Sequence, residues 1–454
     1  RVAAARTAAI RRKREALRSL QGVSADIDRK LWECMGRFEV PGLDGRPLSL
    51  ANLNLTELPH LWTRGGEFVN LFDNEEFTHV NLDGNKFGAT EASFRALQCF
   101  FDTAYSVEEL TMCNNGLETM PTGNGAALKR LRVLRLARNR IAEFPPAFPE
   151  GHLGRGGEAQ REGFYAALAA LEEADLSENC VARVPRHVAA LAALRVLDLS
   201  GNRLERLPGE IGALAHLEQL NVARNELTVL PDAVAKLGAL VRLDAQSNAL
   251  AALPTSLGEG GGTALRQVNL AHNRLRGLPG SFCSLDSLVA LDASDNRIES
   301  LPKDFGELGE LRRLDLHKNA LTTLPGSFYR LNRLEECFLN GNKGLMGLPE
   351  IRADGDDVVL QSIQVLCLQK CAIQHLPERL GRLGDAGPHG GREEAGALGH
   401  AGAQHDDEHR AQGREAGQGA GHVHKQPTQV FRGRQADRGQ GLAGGRIDRR
   451  GAHG

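Results

Sequence analysis

The chain has no run approaching the roughly 18 consecutive apolar residues that a membrane-crossing helix needs. Charge of neither sign is in excess: 55 Lys and Arg stand against 57 Asp and Glu, net −2. That balance gives no support to nucleic acid or an anionic membrane as partner. No G-x-x-x-x-G-K-S/T phosphate loop, kinase lysine, catalytic-loop motif or G-x-S-x-G elbow is present. The glycine cluster 258–262 has no lysine after it and reads as a loop. The eight cysteines do not cluster at the ends, as those of a secreted repeat protein would, and a reducing, cytoplasmic compartment is expected. No secretory signal is present; the first residue is Arg1 rather than Met, so a fragment of a longer protein is expected.

Metal and cofactor sites are not expected either. Asp354, Asp356 and Asp357 lack the spacing of a calcium loop. His400, His405 and His409 fall in a Gly-, His- and Arg-rich tract with too little apolar surface to fold. Cys367 and Cys371 are spaced by a repeat and not as a metal pair.

What the chain does have is periodicity. From Leu194 to Leu348 the pattern L-x-x-L-x-L-x-x-N-x-L-x-x-L-P returns roughly every 23 residues. A fixed period of that length predicts a solenoid in which each unit contacts only its neighbours. Within one unit, Leu314 and Leu316 alternate with Arg313, Asp315 and His317, the period of a short strand with one buried face. Leu321 and Leu324 then turn inward. No single unit encloses these leucines, but stacked units pool them, at roughly 1.5–3 kcal/mol for each one fully buried. The return, such as 208–217, carries Ile211, Leu214 and Leu217 three apart, which suits a short helical turn. Narrow strands inside and wider turns outside force a curve. The expected fold is an α/β horseshoe with a parallel sheet on its concave face and short helical or irregular turns on its convex face.

One polar column runs in register with the leucines: Asn139, Asn179, Asn202, Asn225, Asn248, Asn273, Asn296, Asn319 and Asn342. An amide both donates and accepts, so these residues are expected to bond backbone of their own turn and of the next one. Cys337 stands in a leucine place and Cys371 in the asparagine place.

Residues 1–36 are Ala- and Arg-rich and read as a helical segment that caps the solenoid. Residues 37–383 are the solenoid, irregular over 48–121 and regular over 131–383. Two expansions interrupt it, around 151–163 and 351–361. Residues 384–454 read as a disordered tail. A one-nucleotide shift at its start converts the Ala386–Gly387 and Pro388–His389 junctions into codons able to encode leucine two places apart, so a frameshift origin is expected.

The recurring leucines, asparagines and the L-P-x-x-(I/F)-x-x-L return over 48–383 resemble the leucine-rich repeat superfamily. The return resembles the intracellular class seen in Ras-pathway scaffolds and plant Ras-group-related repeat proteins. That resemblance implies a non-catalytic protein-binding scaffold in signal transduction, with the concave face as contact surface. The other reading is the repeat portion of a larger signalling enzyme, such as a Roc-type GTPase, a kinase or a ubiquitin ligase, which a downstream motif in the full transcript would reveal.

Concave side chains come from the positions around the strand leucines. One column, from Asp175 through Asp244 and Asp292 to Asp315, is mostly Asp and Asn before it ends at Phe338. Two explanations stand: a basic partner, or carboxamides and carboxylates that serve the strand edge. A later column carries Arg224, His272, His317 and Lys318. Arg224, Arg242, Arg313, His317, Lys318 and Phe338 depart from the small polar background and are the first-choice contacts. His272 and His317 are placed on one face two repeats apart, about 10 Å, too far to act on one bond.

Overall fold

A computed structural model describes residues 47–56, 63–64, 67–68, 78–90, 104–120, 126–143, 164–259, 264–349 and 362–374, with 93, 97, 100, 101, 360 and 430–432. Strand β1 (Pro47–Ser49) opens the sheet, and the small antiparallel pair β2 (Thr63–Arg64) and β3 (Glu67–Phe68) stands apart. The sheet continues through β4 (His79–Asn81), β5 (Glu109–Thr111), β6 (Val133–Arg135), β7 (Glu173–Asp175), β8 (Val196–Asp198) and β9 (Gln219–Asn221). It goes on through β10 (Arg242–Asp244), β11 (Gln267–Asn269), β12 (Ala290–Asp292), β13 (Arg313–Asp315), β14 (Glu336–Phe338) and β15 (Val365–Cys367). Twelve successive parallel pairings join β1 to β15 in sequence order, as stacked repeats require. One further strand, β16 (Val430–Arg432), pairs antiparallel with β15. Those three residues of the tail are therefore extended, against the exposed backbone edge that the last repeat leaves. The rest of the tail, the cap over 1–36 and both expansions, apart from Leu360, lie outside the described residues.

Each strand of the parallel sheet is three residues long, and the middle side chain of the regular ones points into the core: Leu243, Val268, Leu291, Leu314 and Cys337 are all buried. Leu311, Leu316 and Leu321 of one unit, and their counterparts in every regular unit, join the same continuous cluster. The returns begin at Pro185, Pro208, Pro231, Pro279 and Pro325, each with extended ψ of 150–159°. Proline sets φ for that exit and has no N–H to leave unpaired. Each is followed by one or two turns of 3-10 helix whose central residue is buried, and Phe282, Phe305 and Phe328 occupy that place in consecutive units. An unforeseen helical stretch contributes Leu97, Phe100 and Phe101 to the early core, the two rings edge to face at 5.7 Å.

The asparagine column binds one unit to the one before it, not to the one after. Asn319 Nδ2 donates to Ala293 O at 2.9 Å and to its own Leu316 O at 3.1 Å, while its Oδ1 accepts Ile298 N–H at 2.9 Å. The direction follows from chain geometry: the side chain leaves the turn towards the strand already laid down. Asn179 spans the first expansion without a break, Ile141 N–H donating to its Oδ1 at 3.0 Å. In the asparagine place, Cys371 offers only its weak thiol donor, to Leu339 O at 3.2 Å.

Candidate protein-interaction surface

The strand register fixes which side chains meet on the concave face. Asp175, Asp198, Asn221, Asp244, Asn269, Asp292, Asp315 and Phe338 occupy one row across adjacent strands. The acidic character of this row has a local cause. Asp198, Asp244, Asp292 and Asp315 each use Oδ1 to accept the backbone N–H two residues on, at 2.9, 3.2, 3.0 and 3.1 Å. Asn221 and Asn269 do the same. These Asx turns hold the chain as it leaves the strand. Asn221 Nδ2 then donates to Asp198 Oδ2 at 2.8 Å. Burial raises the Asp244 carboxyl above its ordinary value, against a smaller opposite pull from the Gln246 N–H and Arg242.

The later column divides into two. His317 lies two residues before its asparagine, whereas Arg224, His272 and Lys318 each lie one residue before theirs. The second position is a left-handed corner in every regular unit: φ is 55° at Arg224, 55° at His272, 51° at Asp295 and 52° at Lys318, and glycine takes the place at 201 and 341. His272 and His317 therefore stand at the two different turn positions that the later column combines. Counting back from the asparagine rather than forward from the leucines separates them.

Three groups of candidate residues are brought together. Arg313 Nη1 donates to Glu336 Oε2, and its Cζ sits 5.2 Å from the Phe338 ring centroid, a cation–π contact. Beside it the Asp315 carboxylate accepts from His317 Nδ1 at 2.6 Å. On the corner, Asp295 Oδ2 lies 3.1 Å from His272 Nδ1 and 3.8 Å from Lys318 Nζ. Such exposed ion pairs are each worth only about 0–1 kcal/mol, so they set side-chain direction more than stability. Arg224 and Arg242 stand apart from this cluster, on and after β9 and β10, and Asp292 is on β12. Glu336 was not among the sequence candidates, although it faces Arg313 one period away; Asp295 stands in the later column with His272 and Lys318. A second clamp lies near the other end, where Arg135 reaches Glu109 at 2.7 Å and Glu173 at 2.8 Å.

The described cysteines 113, 180, 283, 337, 367 and 371 are all free. Burial pushes the Cys113 and Cys283 thiols up to about 11 and Cys337 higher still, so they are inert packing residues. Among the described residues no cluster of His, Cys, Asp and Glu could hold a metal ion. None of their helices is long and apolar enough to cross a membrane.

Comparison with known proteins agrees with this geometry. Residues 169–259 match the model of a leucine-rich repeat region, and residues 294–343 match the model of a leucine rich repeat. No curated protein sequence matches the chain. Among solved structures, a leucine-rich repeat protein of Leptospira interrogans is similar at a TM-score of 0.53 and 24% identity, over 75% of this chain and 82% of that one. The Toll–Spatzle complex of Drosophila is similar at 0.51 and 22%, over 67% of this chain and 42% of that one. An internalin of Listeria monocytogenes is similar at 0.50 and 15%, over 74% and 84%. The repeats are leucine-rich repeats, and the fold is a curved leucine-rich repeat solenoid.

Proposed function

We propose that this leucine-rich repeat chain is a non-catalytic interaction scaffold in intracellular signalling, and that a protein partner seats on the concave face around Arg313, Asp315, His317 and Phe338. Leucine-rich repeats are generally protein-interaction modules, and the Toll structure above is a complex with Spatzle. The observation that carries the placement is the Arg313–Phe338 contact. Arg and aromatic residues are the usual anchors of interfaces, and here the guanidinium is already held by Glu336 over the ring. Pre-set side chains lose less freedom on binding. Asp292, Asp315 and Glu336 around the ring favour a partner that presents basic side chains beside an apolar one. The cytoplasmic reading is supported by the free thiols of the described cysteines, two buried and four half-buried, and by the return motif of the intracellular class.

The test is capture by the full chain, identification by mass spectrometry, and repetition with Arg313→Glu and Phe338→Ala. A partner retained by the wild type and lost by both variants is expected. A partner held equally by all three would place the interface elsewhere.

A further inference from the structure

The two flanks of the solenoid treat charge in opposite ways. On the flank that enters the strands, Glu108, Arg132, Glu172, Arg195 and Glu218 follow one another along a ladder of backbone hydrogen bonds, each N–H donating to the carbonyl of the one before. Their signs alternate and they pair: Arg132 with Glu172 at 2.8 Å, Arg195 with Glu218 at 2.8 Å, and further along Arg312 with Glu335 at 3.0 Å.

The flank that leaves the asparagine turn has its own ladder. Residues 86, 140, 180, 203, 226, 249, 274, 297 and 320 each donate their N–H to the unit before, at 2.7–3.0 Å. Five of these nine are Lys86, Arg140, Arg203, Arg274 and Arg297, one is acidic, and all five bases are exposed. Arg276 adds a sixth exposed base beside Arg274. None of the six makes an ion pair among the described residues. Arg274 and Arg297 lie in adjacent units, about 4.8 Å apart along the strand-stacking direction, and like charges that close oppose folding. Here bases outnumber acids, and although Glu205, Glu226 and Glu299 stand on the same flank, none of the six bases is paired with them.

The geometry points to a second interaction surface: the flank bearing Arg203, Arg274, Arg276 and Arg297 takes an extended acidic polypeptide running along the solenoid axis. Most of the bases are arginine, whose planar fork suits carboxylates. Glu205, Glu226 and Glu299 are interspersed and exposed on the same flank. A polypeptide can set neutral or basic residues against them, whereas a nucleic acid would repel them with phosphate at every step. Nor do the positions one and three after the asparagine, from 86 to 322, carry an aromatic side chain on which a base could stack. This surface is separate from the concave cluster and does not depend on it.

The experiment uses the full chain and a labelled peptide of alternating Glu and Gly, about a dozen residues or 40 Å extended, read by fluorescence anisotropy. Saturable binding that weakens with added salt is expected. The triple variant Arg274→Glu, Arg276→Glu, Arg297→Glu, with its fold checked by circular dichroism, should weaken it about ten-fold or more, and Arg276→Gln alone by a smaller factor. Arg313→Glu should leave it unchanged. Undetectable binding at low salt, equal binding by the triple variant, or loss on Arg313→Glu instead would overturn the proposal. Tighter binding of an oligothymidylate of equal length would overturn its assignment to a polypeptide.

Discussion

Asn296 Oδ1 accepts the backbone N–H of Leu275, one unit earlier, at 3.0 Å. Its Nδ2 donates to Leu270 O of that earlier unit at 2.9 Å and to Ala293 O of its own at 3.1 Å. One buried amide thus satisfies backbone groups of two units that no strand pairing reaches. Removing it leaves the Leu275 N–H buried and unpaired, while Leu270 O and Ala293 O keep the bonds from Asn273 and Asn319 Nδ2. Asn296→Ala is expected to cost about 1–3 kcal/mol, read as a lower urea midpoint. Arg297→Ala, exposed next door, should change stability by less than about 0.5 kcal/mol.

Asp244 is nearly buried, and its carboxyl is raised above the ordinary 3.8, chiefly by desolvation. A carboxyl raised on folding supports the folded state when protonated; that support is present below the unfolded value and is lost as pH rises through the folded one. Neighbouring strands place Asn221 and Asn269 in the same row, each making the same turn bond. Asp244→Asn is therefore expected to melt a few degrees higher than wild type at pH 7. The difference should vanish as pH falls below the ordinary carboxylate range. Thermal melts across that range check both parts.

Gly306 sits where one return packs on the next. A Cβ there would run into Ser327 O, backbone that cannot swing away, whereas a Cβ at Gly209 would meet nothing within 4 Å. Gly306→Ala is expected to destabilise by about 1–3 kcal/mol through overpacking. Gly209→Ala should be neutral or slightly stabilising by differential scanning calorimetry.

Lys318 occupies the left-handed corner that glycine fills in other units, so Lys318→Gly removes the side chain without straining the backbone. If the partner touches this corner, the variant is expected to weaken binding several-fold with no loss of stability. Isothermal titration against the captured partner, beside a thermal melt, separates the two effects.

The solenoid was legible because its evidence is redundant. Leu316, Asn319 and Leu324 each recur one period away, so a single irregular unit does not hide the pattern. The concave cluster was less so. Asp315 reads equally as a contact or as a turn residue until its Oδ1 is seen on the His317 N–H. Glu336 was passed over, although it lies directly across from Arg313. The helical stretch holding Leu97, Phe100 and Phe101 belongs to an irregular unit, where no neighbour repeats the signal.

The most direct measurement is oxidative footprinting of the full chain with and without its captured partner. Phe338 and His317 are on the concave face, and Met346, 63% exposed, lies off it and serves as internal reference. The expected result is strong protection of Phe338 and His317 with Met346 unchanged. Protection of Met346 while Phe338 and His317 oxidise as in the free chain would contradict a concave-face scaffold.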